Sequence, residues 1–138
     1  NLSEIILSLD EELPEIFCSP DELNQVFLNM IINSVHAIEE KLNNDTNHQG
    51  KILIKSKLLN NFVEITIEDN GCGIAESKLS RIFEPFFTTK VVGKGTGQGL
   101  TIAHDIIVNK HHGEINVESQ LGEGARFKIK LPVKNNFE

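Results

Sequence analysis

Between Phe62 and Asp69 the chain alternates apolar and polar residues so regularly that this run constrains the fold more than any other. Val63, Ile65 and Ile67 share one parity and Glu64, Thr66 and Glu68 the other, the period of a strand with one buried face. Asp69 continues the apolar parity, so it points inward where the strand ends. A buried carboxylate requires hydrogen-bond donors. An amino group on a flat ring is one candidate, because Gly71 and Gly73 let backbone approach such a ring closely. A plain turn, in which Asp69 caps local amides, is the other reading.

The run 51–58 alternates in the same way and pairs with 62–69 as a hairpin turned at Asn60-Asn61. Two further strands are expected at 114–119 and 125–132. Ile115, Val117, Phe127, Ile129 and Leu131 take one face, and Arg126, Lys128 and Lys130 the other. Apolar spacings of three and four predict a helix from Pro20 to about Leu42, behind Ser19 or Asp21 as N-cap. A second helix starts near Gly97 to Gly99 and stops at Gly113, its expected C′ residue. Residues 70–98 lack clear periodicity, as functional loops often do. The economical assembly is a single α/β domain over residues 1–138, a two-layer sandwich with a mixed, mostly antiparallel sheet and helices on one face.

Composition limits the function classes. The net charge of −7 argues against non-specific nucleic-acid binding, which needs an excess of Lys and Arg. No apolar run is long enough to span a membrane, and no basic-then-apolar leader opens the sequence. Cys18 and Cys72 stand far apart without metal-ligand spacing, which suits free thiols in a reducing, cytoplasmic setting.

Two other constellations exceed what a core requires. Asn29, Asn33 and His36 fall at i, i+4 and i+7 on the first helix, among Leu28, Met30, Ile31 and Ile32. Buried amides need partners, so this face suits a polar ligand or hydrated metal ion, or else it is a solvated stripe or a hydrogen-bonded structural pair. Gly93-Lys94-Gly95-Thr96-Gly97-Gln98-Gly99-Leu100 runs into the second helix, where free amides and the helix dipole favour phosphate; a flexible linker is the other reading. It matches neither the phosphate-binding loop of nucleoside triphosphatases nor the dinucleotide fingerprint.

In order along the chain, these pieces resemble the GHKL superfamily, and within it the catalytic domains of sensor histidine kinases, with the Bergerat ATP-binding fold. Gln25 to Ser34 resembles the N box, Asp69-Asn70-Gly71-Cys72-Gly73 the first glycine box, Arg81 to Lys90 the F box, and Gly95 to Leu100 the second glycine box. The closing Gly122 to Phe127, with Leu131-Pro132, resembles the last strand. The resemblance implies ATP and Mg²⁺ as cofactors. Asn33 would hold the metal and, with Lys90, serve the chemistry. Asn29, His36 and Ala37 would line the site from the helix. Asp69 would receive the adenine amino group, with Gly71, Gly73 and Ile74 around the ring. Gly95, Thr96, Gly97, Gln98, Gly99 and Leu100 would meet the phosphates, Thr88 and Lys90 would belong to a lid over them, and Phe83, Phe86 and Phe87 would anchor that lid by burial. Ser34 stands where Ala is usual, and Ala125 where many relatives carry Thr or Ser.

The superfamily's ATPases place a Glu where Asn29 stands, to activate water. An amide cannot act as a general base, so the resemblance favours transfer to another nucleophile. That acceptor would be a histidine on a helical hairpin outside this chain, which would then pass the phosphoryl group to a response regulator. His104-Asp105 is a superficial acceptor match only, and His104 reads as a surface residue, His111 and His112 as helix-end residues.

Overall fold

The computed structural model describes residues 3–9, 13, 16, 18–84 and 99–133. Ser19 caps the first helix, α1 (Pro20–Asn44): its side chain accepts from the Glu22 amide, Pro20 fits the first turn, and Asp21 and Glu22 complement the dipole there. Leu23, Val26, Met30, Ser34 and Ile38 form its buried stripe. The hairpin β2 (Gly50–Leu59) and β3 (Phe62–Asp69) turns at Asn60, whose φ of 56° is the left-handed conformation Asn tolerates. The last two strands are β4 (Glu114–Gln120) and β5 (Gly124–Pro132).

A strand that local patterning did not indicate, β1 (Ser3–Ser8), pairs in parallel with β2. The sheet order is β1-β2-β3-β5-β4, with the other three pairings antiparallel. Ile52, Ile67, Ala125, Phe127, Ile129, Leu131 and Ile115 bury one face against Leu23, Val26, Met30 and Ile38 of α1 and Ala103, Ile106 and Ile107 beyond the loop region. The expected two-layer sandwich is therefore present, helices over one face of a mixed sheet.

Three details differ from expectation. The segment after β3 contains a four-residue helix, α2 (Glu76–Leu79). The second long helix begins as α3 (Gly99–His104) and widens into a π-helical stretch, Asp105–Lys110. Its left-handed terminal residue is His112 (φ 57°), not Gly113; histidine is among the side chains that tolerate this region. Gly113 instead closes the end through its amide, which donates to the Ile107 carbonyl at 2.8 Å.

Candidate functional site

The alternation in β3 delivers Asp69 to the helical side of the sheet, 6% exposed, in one cross-strand row with Ile52, Ala125 and Ser119. The Gly71 amide donates to Asp69 Oδ1 at 2.8 Å. Burial pushes the Asp69 carboxyl above its ordinary pKa, opposed by the Gly71 amide, the Ser34 hydroxyl and the Ala125 amide, while neighbouring Glu68 adds to the rise. The group is thus a buried acceptor with capacity left for a donor.

Close packing fixes the loop after Asp69. A methyl group on Gly71 would fall 2.6 Å from the Ala37 carbonyl carbon, and the Cys72 amide donates to the Ala37 carbonyl at 3.0 Å. Gly71 therefore serves contact between the loop and α1, a role beyond the ring approach expected from sequence. Gly73, at φ 73°, lies so close to the Gln120 carbonyl that a side chain would collide with it. The Ile74 amide donates to Ser119 Oγ at 2.8 Å, the Gly122 amide donates to the Cys72 carbonyl at 2.7 Å, and Lys41 Nζ donates to the Gly122 carbonyl. Asn70 bonds back to the start of β2, accepting from the Lys51 amide and donating to the Gln49 carbonyl. The loop is held in place before any ligand arrives.

Cys72 belongs to this scaffold and remains a thiol. Burial first, and then the Glu40 carboxylate that accepts from it, push it up to about 12. Cys18 is exposed, and both cysteines are free.

Along α1 the polar positions Asn29, Asn33 and His36, and Ala37 beyond them, are half-buried, not solvated. At one end of this stretch, a methyl group on Gly99 would lie 3.9 Å from the Asn29 side chain, so α3 starts against that amide. At the other end, Ala37 touches Gly71. The eight residue steps from Asn29 to Ala37 span about 12 Å at the helical rise. One helix thus links the start of α3 to the buried carboxylate, across Asn33. Leu100 and Ile74 are partly buried against the core, as is Phe83.

Phe83 is tied to α3: Thr101 Oγ1 donates to its carbonyl at 2.9 Å, and its ring meets that of His104 at 5.2 Å. His104 is accordingly half-buried against Phe83, where sequence reading placed it on the surface. Thr88, Lys90, Gly95, Thr96, Gly97 and Gln98, with Phe86 and Phe87, lie outside the described residues. Sequence reasoning also missed Ser119, although its parity with Ile115 and Val117 places a hydroxyl on the inner face.

These residues suit an adenine nucleotide with a divalent cation. The buried carboxylate answers an amino group, glycines leave no side chains beside it, and neutral amides on α1 offer oxygen to a hard, hydrated ion without adding charge near phosphates. Among the described residues no cluster of His, Cys, Asp and Glu could hold a metal by itself. A cation here would therefore share its ligands with phosphate oxygens and water.

Residues 18–135 match the family described as "Histidine kinase-, DNA gyrase B-, and HSP90-like ATPase". The chain is 40% identical over 141 residues to sporulation kinase E of Bacillus subtilis (strain 168), covering all of this chain but only 18% of that protein. Among solved structures, the catalytic domain of histidine kinase ThkA superposes with a TM-score of 0.77 at 30% identity, over 96% of this chain and 81% of that one. Full-length ShkA in complex with AMPPNP gives a TM-score of 0.75 at 28% identity, over 94% of this chain and 25% of that one.

Proposed function

The chain belongs to the histidine kinase-, DNA gyrase B- and HSP90-like ATPase family as the ATP-binding catalytic domain of a two-component histidine kinase, and we propose that it donates the γ-phosphoryl group of ATP to a histidine carried elsewhere in its parent protein. The observation that carries this reading is the geometry of α1, whose half-buried Asn29 and Asn33 lie between the start of α3 and the buried Asp69. Asp69 receives the adenine amino group, and Ala37, Gly71, Gly73 and Ile74 surround the base. Asn33 holds Mg²⁺, with Asn29 and His36 supporting the phosphate end. Gly99 and Leu100, with the preceding Gly95 to Gln98, offer amides to the phosphates, and Thr88 and Lys90 belong to the lid. When bound, Mg²⁺ neutralises charge on the transferring group.

Position 29 selects the nucleophile. The Asn29 amide cannot take a proton from water, so hydrolysis is disfavoured and an external imidazole is the better acceptor. The chain spans 18% of sporulation kinase E, which leaves room in such a protein for a phosphoacceptor hairpin. A response regulator then takes the phosphoryl group in the cytoplasm. No described helix is long and apolar enough to cross a membrane.

Incubating the chain with radiolabelled ATP, Mg²⁺ and the helical hairpin of its parent kinase tests the proposal. Acid-labile label should appear on the hairpin, and Asn33→Ala should reduce transfer by about a hundredfold or more. Sustained phosphate release without label transfer, abolished by Asn33→Ala, would instead assign the chain to ATP hydrolysis.

A further inference from the structure

The helical layer stops short of β1. Helix α1 packs over β2, β3 and β5, and the parallel ladder sets Ile5 and Leu7 beside Ile52 and Ile54, on the face those residues turn to the core. Ile5 and Leu7 nevertheless stand 55% and 60% exposed, and Ile6, on the opposite face, 41%. Leu9, just past the strand and of the same parity as Ile5 and Leu7, is exposed too. Among the described residues the only ladder of β1 is with β2, which leaves its other row of N–H and C=O groups open. An edge strand with apolar side chains on both faces is adhesive unless Lys, Pro or a bulge blunts it. β1 has none of these, and its one charged residue is Glu4.

Charge selects what can cover this edge. The opposite edge of the sheet, β4, carries exposed Glu114 and Glu118. Pairing β1 of one copy with β4 of another would bring Glu4 to an acidic edge and leave free edges at both ends, so copies would add without limit. Antiparallel pairing of β1 with itself closes at two. Its two-fold axis stands normal to the sheet, and the residue on the axis faces its own copy. An axis at Glu4 opposes the two carboxylates, one at Ile5 sets Glu4 against Ile6, and one at Leu7 sets Ile6 against Ser8. An axis at Ile6 opposes Ile6 to itself and Ile5 to Leu7 twice, with each Glu4 across from Ser8. Of these registers only the last matches every apolar residue of the run with another and each carboxylate with a neutral polar residue.

We propose that two copies of this chain associate edge to edge through β1, antiparallel and about a two-fold axis at Ile6, joining two five-stranded sheets into one. The axis preserves the faces of the sheet, so both helical layers lie on the same side, and Ile5 and Leu7 of the two copies fill the valley between them. The contact is smaller than the standard protein interface of about 1,200–2,000 Å². It is therefore reversible, with a dissociation constant of order 0.1 mM. Ile5, Ile52 and Asp69 form one continuous cross-strand row, which sets the contact two strands, about 10 Å, from the buried carboxylate. The association needs neither nucleotide nor phosphoryl transfer.

Sedimentation velocity on the chain without nucleotide tests the proposal. Between about 10 µM and about 1 mM it should pass from monomer to dimer. Ile6→Lys, which puts a charge on the axis, should stay monomeric throughout and melt at the wild-type temperature, because the side chain it replaces is exposed. A second variant reads the register. With Ile6→Cys in a Cys18→Ser background, the facing Cα atoms lie about 4.5–5.5 Å apart, within disulfide reach. Mild oxidation should then cross-link two copies about tenfold faster than in Leu28→Cys, an exposed position on α1 in the same background. Monomer at every concentration, a wild-type dimer in Ile6→Lys, or cross-linking no faster than in Leu28→Cys overturns the proposal. Growth beyond two copies assigns the edge to β1–β4 pairing and overturns it as well.

Discussion

The carboxylate of Asp69 is supported by its own neighbours, yet burial still holds its pKa above the ordinary value of 3.8. A proton therefore binds the folded chain more tightly than the unfolded one. The stability this group contributes is fullest below pH 3.8 and is lost as pH rises through its folded value. At neutral pH the ionised group weakens the empty fold and strengthens recognition of an amino donor. Asp69→Asn should accordingly raise the melting temperature of the nucleotide-free chain near pH 7, with the gain shrinking as pH falls through that window. Affinity for ATP should drop by about tenfold or more, because a charge-assisted acceptor is lost. Thermal melts over a pH series with parallel calorimetry check both halves, and a lower melting temperature at neutral pH would contradict the assignment. The inward aim of Asp69 was readable from parity alone. The seating of the following loop on α1 was not, because it depends on the packing of Gly71 against Ala37, which no local pattern encodes.

Among the elements, the two long helices are locked together by a side chain that sequence reading treated as a helix-end residue. His111 Nδ1 donates to the Ile106 carbonyl at 2.8 Å, while Nε2 accepts from the Ser19 amide at 2.9 Å. Both bonds together require the neutral ring with its proton on Nδ1. His111→Ala would leave a buried carbonyl and the entry amide of α1 unpaired, costing about 1–3 kcal/mol in urea denaturation; a loss below about 0.5 kcal/mol would show that the tie is replaced by water. The α1 helix and the β2–β3 and β4–β5 pairs were legible from their apolar periods, although β3 buries Glu64 and Thr66 of the polar parity as well as Val63 and Ile67. β1 was not: Ile5, Ile6 and Leu7 run consecutively, remain 41–60% exposed, and owe their strand to a ladder with residues some 47 positions later. The π-helical widening was equally hidden, since Ile106 and Ile107 fit an ordinary helix.

Across the whole molecule, excess negative charge coexists with an anion site because the outer sheet face is internally compensated. Glu64 pairs with Lys57, Arg126 lies between Glu68 and Glu118, and Lys128 also meets Glu118. Reading net charge alone excluded polyanions without excluding a nucleotide. The Thr101 bond to the Phe83 carbonyl has a separate bearing on the span 85–98. The described residues that flank it are thereby held together, a closure made whatever the length of chain between them. Doubling the span with a glycine-serine insert should reduce unfolding free energy by only about 0.6 kcal/mol, as measured by urea denaturation. A loss of several kcal/mol would show instead that the span is integral to the core. With Phe83 and Thr101 fastened to each other, a change in the length of chain between them leaves the sheet and helices in their geometry.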